Sequence, residues 1–172
     1  KYFPTYISAP KLTPENQQFN VVLTTNFIEP YIKIFNKDIS GFNNINIEGS
    51  INTSKQNISL NGKIPFASFK YKWADYAINN GILNGSGNID SLRFSLSSSQ
   101  FNLTDSLYFK NTVVQINTSK DNSQFTLDAA SESAIEQLAL KGNIQTFNDG
   151  LSINWMPSYF ILNHKRWDIQ KY

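Results

Sequence analysis

The sequence predicts a mainly β, antiparallel fold with one short helix. Three observations predict it. Apolar residues recur with period two over most of the chain, with Ser, Asn, Thr, Lys and Gln between them. Aromatic residues make up 14% of the 172 residues, while charged residues are only 16%, against about 25% in an average soluble domain. Pairs of turn-forming residues punctuate the alternation at Asn43-Asn44, Asn79-Asn80-Gly81, Lys120-Asp121-Asn122 and Asn148-Asp149-Gly150.

Residues 1–18 carry Pro4, Pro10 and Pro14 among polar neighbours and read as a linker or extended lead-in segment. Residues 19–172 read as a single β domain. The chain opens on Lys1-Tyr2-Phe3-Pro4 and stops within an apolar/polar alternation, so it is expected to be a segment of a longer protein. Phe19 to Thr25 reads as a short strand. The period then lengthens: Ile28, Ile32 and Phe35 are spaced for one helical face, Asn26 is placed to cap and Pro30 suits a first turn. The spacing predicts a helix over 27–36.

From residue 42 onward about ten strands fit. Ile45, Ile47 and Ile51 share one face, as do Ile58, Leu60, Ile64 and Phe66. Phe94 and Leu96, Leu103, Phe109, Val114 and Ile116, Phe125 and Leu127, Leu138 and Leu140, and Ile153 and Trp155 continue the pattern. Ala129 to Gln137 fits helix or strand equally. A glycine recurs on the apolar face in Ile47-Glu48-Gly49-Ser50-Ile51, Leu60-Asn61-Gly62-Lys63-Ile64, Gly85-Ser86-Gly87-Asn88-Ile89 and Leu140-Lys141-Gly142-Asn143-Ile144. A glycine weakens a strand, so it signals a bend, a bulge or close approach of another group. The competing reading makes Asn61-Gly62 and Asn84-Gly85 two-residue hairpin turns.

Composition excludes several functions. There is no cysteine, hence no disulfide scaffold, thiolate metal site or cysteine nucleophile. A net charge of +2 does not suggest nucleic-acid binding. His164 is the single histidine, so neither a multi-histidine metal site nor a cofactor is expected. Carboxylates at Glu48, Asp75, Asp90, Asp105, Asp128 and Asp149 are scattered, and Gly-x-Ser-x-Gly is absent. No catalytic residue is assigned and an enzyme is not expected. Asn84 to Asp90 is rich in oxygen and glycine but lacks the acidic first position and closing Glu of a calcium loop. His164-Lys165-Arg166-Trp167 reads as a solvated turn, with a lipid-phosphate contact as the sharper alternative.

The helix-like stretch Phe27-Ile28-Glu29-Pro30-Tyr31-Ile32-Lys33-Ile34-Phe35, the Ile39-Ser40-Gly41 after it, the Gly-x-Ile repeats and the closing Ser158 to Ile169 stretch resemble the TamB (translocation and assembly module) family and its AsmA-like relatives. That resemblance implies a strongly curved, groove-forming sheet, β-taco-like, in a periplasmic protein of a Gram-negative bacterium whose parent is anchored in the inner membrane. It implies a non-catalytic segment that shields phospholipid acyl chains for lipid transport to, or assembly of, the outer membrane, with an Omp85-type barrel as partner. The expected lining is Ile45, Ile47, Ile51, Ile58, Leu60, Ile64, Phe94, Leu96, Leu103, Phe109 and Ile116. Without the resemblance, sheets with one apolar face are expected to stack as a β-sandwich. The corresponding function is an adhesion or carbohydrate-binding module of a secreted protein, with Phe66, Phe69, Tyr71 and Trp73 as an exposed aromatic platform.

Overall fold

The computed structural model describes residues 16–72, 74–88, 90–104, 107–132, 135–147 and 150–169. The expected linker therefore lies outside the described residues except at Asn16, Gln17 and Gln18, the last of which opens the first strand. The elements are β1 (Gln18–Thr24), α1 (Glu29–Phe35), β2 (Ile39–Gly41), β3 (Asn46–Asn52), β4 (Asn57–Tyr71), β5 (Ala74–Gly87), β6 (Ser91–Asn102), β7 (Tyr108–Ser119), β8 (Asn122–Ala130), β9 (Ile135–Phe147), β10 (Gly150–Trp155), β11 (Ser158–Leu162) and β12 (Lys165–Ile169).

All twelve strands belong to one antiparallel sheet, in the order β1-β3-β4-β5-β6-β7-β8-β9-β11-β12. Two long strands are interrupted. β2 and β3 pair successive stretches of β4, and β10 and β11 pair successive stretches of β9. Pro157 has no N–H to give the ladder, and Ser158 repairs the gap. Its buried Oγ accepts from Lys141 N–H at 2.8 Å and lies 2.8 Å from the Met156 carbonyl.

The curved-trough expectation does not hold. β1 and β12 end the sheet without pairing each other, strands pack on their ladder neighbours, and the sheet is neither closed nor strongly curled. The sandwich does not form either, because the described strands all belong to a single sheet. The physical sign of this is the scarcity of buried apolar side chains: Ile45 and Phe109, each 4% exposed, are the large ones, beside Ala74, Ala129 and Ala139.

The helix is shorter than its expected span and is capped differently. Asn26 makes no cap. Instead the Asn43 Oδ1 accepts from Ile28 N–H at 2.9 Å and Glu29 N–H at 3.2 Å, so the β2–β3 connection holds the helix start. Pro30 occupies the first turn as expected. Glu29 pairs with Lys33 one turn on, and the hydrogen bond from that ammonium holds the Glu29 carboxyl below its ordinary range. Phe35, expected on the inner face with Ile28 and Ile32, is exposed.

The Gly-x-Ile copies lie within strands, and Asn61-Gly62 and Asn84-Gly85 are not turns; Ile89 of the third copy lies outside the described residues. The glycines make room for large neighbours rather than bending a trough. Across the sheet, Val21, Gly49, Leu60, Gly85, Phe94, Ile116, Phe125, Gly142 and Trp155 stand in one row. A Cβ on Gly85 would meet Leu60 Cβ at 3.1 Å, and one on Gly142 would meet the Phe125 ring at 2.5 Å. Phe125 and Trp155 close over Gly142 edge to face, with ring centroids 5.7 Å apart.

Asn79-Asn80-Gly81 is not a reversal. Asn80, at φ 50, is a left-handed bulge inside β5. Asn111 on β7 has the same φ. Between them on β6, the Ser98 Oγ donates to the Asn79 carbonyl at 2.8 Å, and Asn80 Nδ2 donates to Ser99 Oγ at 3.0 Å. These bulges line up across the sheet as a seam. Each strand that crosses it shifts its facing by one residue. Ile78 and Gly81 share a face, and so do Ile64 and Ala67, which sends Phe66 to the opposite face from the one expected. Lys120, at φ 53, does form the expected turn between β7 and β8. Asn148 and Asp149 lie outside the described residues.

Candidate functional site

The two faces of the sheet differ sharply. The strand registers put Ile47, Ile51, Ile58, Leu60, Ile64, Phe94, Leu96 and Ile116 on the apolar face, Leu103 and Phe109 join Leu96 there at one cavity, and Ile45 continues the β3 line beside Thr25. Ile45 and Phe109 are buried, Ile51 is exposed, and Ile47, Ile58, Leu60, Ile64, Phe94, Leu96, Leu103 and Ile116 are half-buried. They do not line one groove. Ile51 faces Ile58 and Phe94 faces Ile116 across neighbouring strands, while Leu96, Leu103 and Phe109 border a local cavity of about 280 Å³ over the seam. Ile78, Phe101, Val114, Leu127, Ala129 and Leu138 complete that apolar wall. Thr112 stands there with its hydroxyl buried and without a protein partner. Among the described residues the sheet forms no groove along this face, so the groove-shaped acyl-chain site implied by the family resemblance is not formed there.

The polar face was not singled out in the sequence, although its residues are the other half of the same alternation. One row runs Glu48, Asn61, Asn84, Ser95, Gln115, Thr126 and Lys141 across seven strands. The next runs Ser50, Ser59, Ser86, Arg93, Asn117, Gln124, Asn143 and Asn154. Cross-strand pairs hold these side chains in place: Ser50 and Ser59 at 2.6 Å, and Arg93 Nε donating to Asn117 Oδ1 at 3.0 Å. Ser86, Arg93, Asn117, Gln124, Ser119 and Asn122 border a shallow basin of about 530 Å³ that Leu92 also lines, so its wall is mixed, with polar groups and carbon surface side by side. Amides supply both donors and acceptors, hydroxyls do the same, and Arg93 supplies donors only.

The expected aromatic platform of Phe66, Phe69, Tyr71 and Trp73 does not assemble among the described residues. Phe69 and Tyr71 are exposed on the apolar face near the β4–β5 turn, and Phe69 stacks on Tyr76 with ring centroids 4.8 Å apart. Phe66 is on the other side, and Trp73 lies outside the described residues. The Asn84 to Asp90 stretch is the end of β5 and its turn, where Asn88 Oδ1 accepts from Asp90 N–H and Ser91 N–H, both at 2.9 Å. His164 sits in the β11–β12 turn with its Nδ1 2.9 Å from Glu136 Oε1. Lys165 and Arg166 begin β12, and Arg166 lies over the Tyr159 ring and pairs with Asp168. Asp75 pairs with Lys70, and Asp105 and Asp149 lie outside the described residues. Among the described residues no group of three or more His, Asp or Glu side chains is placed to hold a metal ion, and no helix is long and apolar enough to cross a membrane.

Comparisons with family models, with characterised proteins and with solved structures give no match to this chain. Nothing in them joins it to the family that its short motifs resemble.

Proposed function

We propose that this chain is a non-catalytic adhesion or carbohydrate-binding module that contacts its ligand through the polar face of the sheet. The observation that carries this reading is the pair of in-register polar rows opening on the basin around Arg93, Asn117 and Gln124. A ligand laid across the strands meets a new side chain at each strand spacing of about 4.8 Å. Those side chains are mostly neutral amides and hydroxyls, which suit the alternating donors and acceptors of a polyhydroxylated chain. Charges are sparse in the two rows, with Glu48, Arg93 and Lys141 as the exceptions, so a neutral glycan fits better than a polyanion. Many small contacts of about 1 kcal/mol each would build affinity along the row without a deep pocket.

A glycan array with the whole chain is the test, followed by calorimetric titration of the best binder. Binding of a neutral oligosaccharide is expected. The double variant Asn117→Ala/Gln124→Ala should weaken it at least about tenfold, from two lost hydrogen-bonding groups, with the fold unchanged by circular dichroism. No binding across the array, or binding indifferent to both substitutions, would overturn the reading.

A further inference from the structure

We infer that β1 is a homotypic interface, where two copies of this chain join edge to edge about a two-fold axis. The inference is independent of the proposed glycan contact. β1 pairs with β3 alone among the described residues. Gln17 exchanges hydrogen bonds with Thr53, and Thr25 N–H donates to the Ile45 carbonyl at 2.9 Å. Odd positions thus spend their backbone groups inward. By the alternation of an antiparallel ladder, Gln18, Asn20, Val22 and Thr24 turn theirs outward.

Nothing on β1 blunts this edge. Its sequence, Gln-Phe-Asn-Val-Val-Leu-Thr, has no charge and no proline, the two commonest protections of a free edge. Phe19 is 63% exposed and Val22 66%, and Val22 puts an apolar side chain on the polar face, opposite Glu48. The far edge is different. β12 reads Lys-Arg-Trp-Asp-Ile, with Arg166 and Asp168 paired along it. Charge therefore disfavours a β1-to-β12 join, which would build an open fibre, and leaves β1-to-β1, which closes at two copies.

The sequence of β1 is self-complementary in one register. Centred on Val21, an antiparallel pair sets Gln18 opposite Thr24 of the second copy and Asn20 opposite Val22, forming about eight backbone hydrogen bonds. On the apolar face Phe19 then meets Leu23 of the second copy, and Val21 meets itself. Moving the centre to Asn20 or Val22 would set Leu23 or Phe19 against Gln17 or Thr25 instead.

The chain has no cysteine, so Val21→Cys introduces a single thiol. At a position on the two-fold and between hydrogen-bonded pairs, the two Cα atoms would stand about 4.5 Å apart, within disulfide range. Light scattering should give the dimer mass for the natural chain. Mild oxidation should link Val21→Cys into a covalent dimer and leave Phe19→Cys mostly unlinked. Asn20→Pro removes an outward N–H without touching the β3 ladder, and should weaken the dimer at least tenfold. Should that variant fail to fold, Val22→Lys provides the same test through edge charge. A monomer at all concentrations, a dimer unaffected by both edge variants, or equal linking at positions 19 and 21 would overturn the inference.

Discussion

Phe109→Ala is expected to destabilise the fold by about 3 kcal/mol, at the lower end of the cost of truncating a buried phenylalanine. Phe109 is only 4% exposed, a rare status in a single-layer sheet. It pairs across β6 with Phe101 and helps wall the cavity over the seam. That cavity exists already, so truncation enlarges a void instead of collapsing one. Leu103 shares the wall but is half-buried, and Leu103→Ala should cost clearly less. Urea titrations of both variants and the natural chain, followed by tryptophan fluorescence, check the order and the size. Equal losses would mean that the cavity wall is not where the sheet is anchored.

Gly87→Ala is expected to cost about 3 kcal/mol by forcing open the β5–β6 hairpin, within the range of backbone strain combined with lost ladder bonds. A Cβ at this position would lie 2.2 Å from the Ser91 carbonyl oxygen and 2.8 Å from Leu92 Cα. Both are backbone atoms, and the Ser91 carbonyl accepts the Asn88 N–H at 2.7 Å to close the turn. The methyl therefore cannot be accommodated by a side-chain rotation. Gly49→Ala is the matched control, since its Cβ would find only ordinary contacts at 3.7 Å and alanine costs less chain entropy on folding. Thermal melts of the two variants should move in clearly different directions or by clearly different amounts. Matching melts would remove the steric explanation.

Much of the strand content was legible because period-two alternation survives wherever a sheet has two unlike faces. Alternation alone places the lining positions on each side of the seam, but it does not put Leu103 and Phe109 on the same face as Leu96 and Ile116, which takes the one-residue shift at the seam. The number of layers was not legible. An alternating strand reads the same in a trough, a sandwich or an open sheet, since the pattern records which side is drier and not what covers it. Of the three readings open for the in-strand glycines, close approach of another group is the one the structure supports, and the sequence could not name that group because Phe125, over Gly142, comes from another strand. Asn80 misled for a related reason. A left-handed asparagine before glycine suits a hairpin turn and a mid-strand bulge equally, and only the pairing of β4, β5 and β6 decides between them. The cap of α1 was missed because Asn43 reaches it from beyond β2. The basin is not legible in the sequence because Ser, Asn and Gln read there as spacing between apolar residues, when across the strands they are equally a surface in register.

The order of strands along the sheet has a kinetic meaning. Every ladder among the described residues joins a strand to the next or next-but-one in the chain, so contacts are local in sequence and loop-closure costs are small. Folding in such a molecule resembles zipping more than collapse, with each new hairpin adding to a growing edge. Unzipping runs the same way. Amide hydrogen exchange should be slowest around β5 to β8, where both neighbours are in place, and should quicken stepwise toward β1 and β12. Calorimetry should then give a transition broader than a single all-or-none step. Uniform exchange across the sheet would instead mean that the strands unfold as one unit.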